Sequence, residues 1–357
     1  MFGRLSQRLR LKYWLHRYDV WMRSQTGKLA WEGVVSGVAF GPALLSVAVG
    51  TVLQEFVTDW YSSVAADLPY NTVQPYLEEL LDKELIYSGT AEQMADYFSL
   101  LGGSVSRKYD VAHLNVTRFL DPFPLGYSFS FFGLDLGLPY NYQFESRPEM
   151  ERNLAGFLRC VNRQFGVNLN IDELPPRLKE QLVHSLTLSD EAKRFYLSRE
   201  LKYSQLPYPH LVSGVLWCAC VMFSYVFVRI CKRFSSLGSA SRPLRLAIYG
   251  LFAALSVTVY LNARKVLIAI YDSQAYDNTL RMSELYRRGA LEFYSKLKLR
   301  NQVLRQMHRK FRQRFDAEGD YIWLSWWPHG LNVSQYLYIV NNFQPNCGDD
   351  ALLQNAS

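Results

Sequence analysis

Residues 186–203 read LTLSDEAKRFYLSRELKY, and from Leu211 the chain turns almost wholly apolar. The stretch holds Asp190, Glu191, Lys193, Arg194, Arg199, Glu200 and Lys202, too many charges for a membrane span. Each Asp, Lys or Arg would cost about 2.5–3.5 kcal/mol at the centre of a bilayer. Its order is that of a helix. Ser189 suits an N-cap, with Asp190 and Glu191 at the positive end of the helix dipole. Ala192, Phe195, Tyr196 and Arg199 then share one face at i, i+3, i+4 and i+7. Arg199 is the odd member of that face. It either snorkels or pairs in a packed site, with Glu292 as the expected partner. Pro175 and Pro176 break the chain just upstream. The stretch reads as a juxtamembrane helix that joins an outer domain to a span.

Three stretches have the length and composition of membrane spans. Residues 33–54 are 22 residues without a charge, bounded by Glu32 and Glu55. As a helix they would measure about 33 Å, enough for a hydrocarbon core of about 30 Å. They are rich in Gly and Ser, so a buried soluble helix stands as the other reading. Residues 203–228 carry no formal charge and are most apolar over 211–228. Residues 246–263 are 18 uncharged residues between Arg245 and Arg264. The expected fold class is a mainly α membrane protein with three transmembrane helices. The spacing predicts a basic segment over 1–32, spans over 33–54, 209–229 and 246–263, and a basic loop over 230–245. A mixed α+β outer domain fills 55–208, and a helical C-terminal segment with an aromatic tail fills 264–357.

Flanking charge predicts orientation. Residues 1–32 hold seven Lys and Arg against Asp19 and Glu32. The connector between the second and third spans holds Arg229, Lys232, Arg233, Arg242 and Arg245 and no acid. Glu55, Asp59 and Asp67 follow the first span with no base before Lys83. Both basic segments therefore belong inside, and 55–208 and 264–357 outside. The first 18 residues are Arg-rich and free of acid, with the look of a mitochondrial targeting segment. A positive-inside anchor of another membrane is the alternative. The sequons at Asn115, Asn332 and Asn355 are no more than chance supplies in a chain with 15 asparagines.

In the outer segments, 75–87 and 91–101 have amphipathic spacing, and Gly102-Gly103 ends the second. Residues 109–144 read as short strands or extended loops, with alternation in YSFSF at 127–131. Residues 149–165 return to helix, with Leu154, Phe157, Leu158 and Val161 on one face. Beyond the third span, Met282, Leu285, Tyr286, Gly289, Ala290, Phe293 and Leu297 recur at helical spacing. Residues 298–314 carry seven bases and no acid, a run for anionic lipid head groups, for an acidic partner, or for a solvated face. The orientation puts this run outside, so no nucleic-acid partner is expected.

Little in the chain suggests chemistry. Net charge is +7, and the six histidines are scattered without the spacing of paired ligands. There is no HExxH, no Gly-rich phosphate loop, no GxSxG and no CxxC. The five cysteines read as unpaired structural thiols. Asp135, among Gly, Leu and Pro, reads as a turn residue. No catalytic, cofactor-binding or metal-ligating residue is expected, and the chain reads as a binding protein and not an enzyme. Gly33, Gly37 and Gly41, at four-residue spacing, are candidate helix-packing positions.

The stretch LTLS at 186–189, with Glu191, Ala192, Phe195, Leu197, Arg199, Glu200 and Tyr203, resembles the transmembrane protein 177 family of the mitochondrial inner membrane. A second match is Gly289, Glu292, Phe293, Tyr294, Lys296 and Leu297, followed by Asn301, Leu304 and Arg305. Weaker ones are Gly41-Pro42 and GLDLGLP at 133–139. The N-terminal extension, residues 109–127 and the aromatic tail depart from the family pattern. The resemblance implies an assembly factor without a cofactor. Such proteins associate with the chaperone of cytochrome c oxidase subunit 2 and its copper-delivery partners. The inside would be the matrix and the outside the intermembrane space. Phe195, Arg199, Glu200, Glu292, Phe293 and Tyr294 are then the candidate structural or partner contacts. The alternative is a multi-pass membrane adaptor of the secretory pathway.

Overall fold

A computed structural model describes residues 75–87, 112–117, 119–126, 134–206, 209–234, 242–322 and 330–343. The expected first span over 33–54, with Gly33, Gly37 and Gly41, lies outside the described residues. So do the helix expected over 91–101, the alternation at 127–131 and the tryptophans of the tail.

The described chain is mainly helical. Helix α1 (Pro75–Tyr87) is followed by strands β1 (Ala112–Thr117), β2 (Phe123–Gly126) and β3 (Leu134–Pro139). Helices α2 (Arg147–Phe165), α3 (Pro176–Leu186) and α4 (Asp190–Ser204) come next. Then come the long apolar helices α5 (Pro209–Phe234) and α6 (Arg242–Leu280). Helix α7 (Glu284–Met307), the single turn α8 (Arg309–Arg312) and α9 (Val333–Asn342) complete the order.

These elements fall into two compact units. One contains α5 and the first half of α6, to Tyr260. Both helices are long and apolar enough to cross a membrane. They meet along a narrow seam. Trp217 sets its ring edge-on to Tyr260 at 5.0 Å, Phe227 meets Phe252 at 5.1 Å, and Ser224 bonds Ser256. Away from that seam, Phe223 is 72% exposed and Leu251 67%, as expected of helices solvated by lipid and not by water. The bases of the expected 230–245 loop partly belong to helix: Lys232 and Arg233 lie in the last turn of α5, Arg242 and Arg245 in the first of α6. Nor does the helix end at Ala263. It runs on through Arg264 to Leu280, about 58 Å for its 39 residues, nearly twice a hydrocarbon core.

The second unit joins what the sequence presents as two separate outer segments, before α5 and after Tyr260. One cluster unites Leu77, Leu80 and Leu81 of α1, the β3 leucines, Phe195 and Leu201 of α4, Tyr276 of α6, Phe293 of α7 and Val340 of α9. A second unites Met150, Leu154 and Phe157 of α2 and Leu182 and Leu186 of α3 with Val303 and Leu304 of α7 and Phe311 of α8. Each fully buried side chain of this kind contributes about 1.5–3 kcal/mol. Helix α7 is common to both clusters and is the spine of the unit.

Sheet order is β1-β3-β2, with β3 parallel to β1 and antiparallel to β2. Leu134, Leu136 and Leu138 of the central strand are at most 1% exposed. Asp135 is therefore a buried strand residue paired with His113 and Leu125, not a turn residue. A central strand covered on both faces hides every position, which is why its apolar alternation resembled a punctuated loop. Pro148 opens the α2 helix, and Gly166, at φ 58°, ends it in the left-handed conformation that glycine adopts without strain. Lys193 of α4, wholly buried, reaches the Phe144 carbonyl at 2.9 Å, and Asn141 reaches that of Leu186 at 2.8 Å.

Candidate functional site

The site forms where α4 crosses α7. Ser189 caps α4, its hydroxyl accepting from the Ala192 N–H at 3.2 Å. A capping box would place Glu or Gln three residues on to take the cap's own N–H, but that position is Ala192. Glu292 of α7 does so instead, at 2.9 Å, and its other oxygen accepts from the Ser189 hydroxyl. Lys296, one turn along, holds Glu292 at 2.6 Å and bonds the Thr187 carbonyl. Burial alone would raise the Glu292 carboxyl, but Lys296 and Ser189 outweigh it and hold the group below the ordinary value. Gly289 makes the crossing close: a Cβ there would lie 2.3 Å from the Glu191 carbonyl oxygen.

Further along α4, Phe195 sets its ring against Tyr276 at 5.8 Å and Tyr294 at 5.9 Å. One turn beyond comes Arg199. The expected pairing of Arg199 with Glu292 does not occur. Glu292 sits at Ser189, ten residues or about 15 Å back along the helix. Arg199 instead holds Glu200 at 2.5 Å and pairs with Asp272 of α6. It also donates to the Tyr336 hydroxyl at 3.1 Å, and that hydroxyl donates to Asp272. The Leu331 N–H donates to the same Asp272 oxygen at 3.2 Å. The Arg199 guanidinium lies 5.4 Å from the Tyr336 ring centre, and that ring stacks on Tyr294 at 4.4 Å. Glu200 is pushed above the ordinary carboxylate value by burial, against the pull of Arg199.

These residues wall a cavity of about 390 Å³. Arg199, Glu200, Asp272, Tyr203, Tyr294 and Tyr336 line it, together with Asp121, Tyr196, Phe293 and Tyr321. Its walls are mostly apolar, made by aromatic rings with Pro122, Pro124, Ile268 and Val333, and carry a few charged groups, the make-up of a ligand site. Among the described residues no group of three or more His, Cys, Asp or Glu is placed to hold a metal ion.

Of the candidate contacts, Arg199, Glu200, Phe293 and Tyr294 meet at the cavity, Phe195 packs beneath it, and Glu292 caps α4. Asp272, Asp121 and Tyr336 were not singled out by sequence. Asp272 carried a signal, an acid directly following the apolar run LIAIY at 267–271.

The basic run is largely consumed by internal structure. Arg300 is buried against Asp121 at 2.7 Å and the Leu120 carbonyl at 2.6 Å. Arg305 bonds the Phe315 carbonyl, Lys310 the carbonyls of Phe165 and Gly166 that end α2, and Lys298 the Ser334 hydroxyl. Of these, Arg300 is buried and Lys298 and Arg305 partly so, while Lys310 stays exposed together with Arg309, Arg312 and Arg314.

A family model described as Transmembrane protein 177 matches residues 125–325, more than half of the chain and most of the cavity wall. No curated protein and no solved structure matches. The chain belongs to the transmembrane protein 177 family.

Proposed function

We propose that the protein is a non-enzymatic assembly or stabilising factor of the mitochondrial inner membrane. It acts in the biogenesis of cytochrome c oxidase subunit 2 by binding the subunit's chaperone and the copper-delivery factors associated with it. Residues 1–32 and the loop between α5 and α6 face the matrix, and the unit around the cavity faces the intermembrane space. Family membership over residues 125–325 carries this reading. The two apolar helices and a folded unit with a recognition cavity support it.

Affinity purification of the full chain in mild detergent tests it. Recovery of the subunit 2 chaperone is expected, and a preparation devoid of oxidase assembly factors would remove the claim. A glycan on Asn115 would place the chain in the secretory pathway instead.

A further inference from the structure

We propose that the cavity between α4, α6, α7 and α9 receives an arginine side chain from a partner polypeptide, held by Glu200 and Asp121 among the tyrosine rings. The inference goes beyond the oxidase reading and does not depend on which partner supplies the arginine.

Charge carries it first. Among the described residues, Asp121, Glu200 and Asp272 are three carboxylates facing the cavity, against Arg199 on the wall and Arg300 behind Asp121, so carboxylates outnumber cations by one. Glu200 and Asp272 have side chains only 5% and 6% exposed. An uncompensated charge at that depth is costly and is relieved by a proton or by a cation. An apolar occupant would seal the excess in dry surroundings, and an anion would add to it.

The rings carry it second. Guanidinium groups favour aromatic faces, and the chain's own Arg199 already lies over Tyr336. Tyr203 and Tyr321 are only half-buried and offer ring surface at the cavity. Burial pushes the Tyr203 hydroxyl up to about 12, with Asp272 and Glu200 adding to the shift and Arg199 opposing it. At about 390 Å³ the space is larger than a few waters need and takes a side chain with its flanking backbone. A planar fork able to bond two carboxylates while lying against rings matches this lining better than an ammonium does.

Calorimetric titration of the detergent-solubilised full chain with N-acetyl-arginine amide, N-acetyl-citrulline amide and free arginine tests the proposal. The arginine amide is expected to bind at least about tenfold more tightly than uncharged citrulline, with an affinity that falls as salt rises. It should also outbind free arginine, whose carboxylate the acidic wall repels. Glu200→Gln should weaken the arginine amide about tenfold and leave citrulline unchanged. Tyr203→Phe, which keeps the ring, should leave its binding within about twofold, and Tyr203→Leu should weaken it severalfold. Equal binding of arginine and citrulline, or no heat with wild type up to about 10 mM ligand, overturns the proposal. Tighter binding of free arginine than of its amide overturns the assignment to a polypeptide.

Discussion

Arg199 and Arg300 both lie inside the second unit, with side chains 15% and 5% exposed, and their partners differ. Arg300 is saturated, with the Leu120 carbonyl, Asp121, the Asn301 side chain at 2.9 Å and Tyr321 around it. Its carboxylate partner, Asp121, is 35% exposed at the side chain and shares its charge with water. Arg199 is divided between two acids that have almost no water, and its Nε is buried without a hydrogen-bond partner. A buried cation whose partners are wet closes a structure. One whose partners are dry leaves them stranded when it is removed.

Removing each cation should separate the two cases. Arg199→Met strands two dry carboxylates and is expected to cost about 3–5 kcal/mol. Arg300→Met leaves a carboxylate that water can reach and should cost about 1–3 kcal/mol. Equilibrium unfolding of the full chain in detergent reads both, and the reverse order would break the distinction.

Lys193 extends the comparison to pH. Burial pushes its ammonium from the ordinary 10.5 down to about 8. Between those values the folded chain holds fewer protons than the unfolded one, so stability should rise with pH across that window, by about 3 kcal/mol at most. Lys193→Met should abolish the rise, and a variant that keeps it would place the titration elsewhere.

Gly289 and Gly250 make a smaller contrast. A methyl at Gly289 meets the Glu191 backbone, whereas one at Gly250 meets nothing within 4 Å. Gly289→Ala should cost about 1–3 kcal/mol and Gly250→Ala should be neutral. Thermal unfolding of the two variants side by side checks this. Ser189→Ala, which removes the α4 cap, comes last at about 1 kcal/mol.

The α4 stretch was legible because its signals are local: a cap, two acids in the first turn and a face at helical spacing all agree. Helix Pro75–Tyr87 and the return to helix before Phe165 were legible for the same reason. What was not legible depends on distance. Arg199 announced a buried partner, but nothing local distinguishes Glu292, 93 residues on, from Asp272, 73 residues on. The α6 helix hid its length because Arg264 and Lys265 look like the end of a span, although a helix can leave the bilayer without breaking. The basic run resembled a surface because its acceptors, the carbonyls of Leu120, Phe165, Gly166 and Phe315, carry no mark in a sequence.

Arg199 lies before the two apolar helices and Asp272 in the second half of α6, so their pairing joins the segment before α5 to the one after Tyr260. A double-mutant cycle on Arg199→Met and Asp272→Leu, read by equilibrium unfolding in detergent, tests that join most directly. The double variant should lose less than the sum of the single losses, with a coupling of about 2 kcal/mol or more. Losses that add within about 0.5 kcal/mol would mean that the two side chains do not meet, and that the segments are not one core.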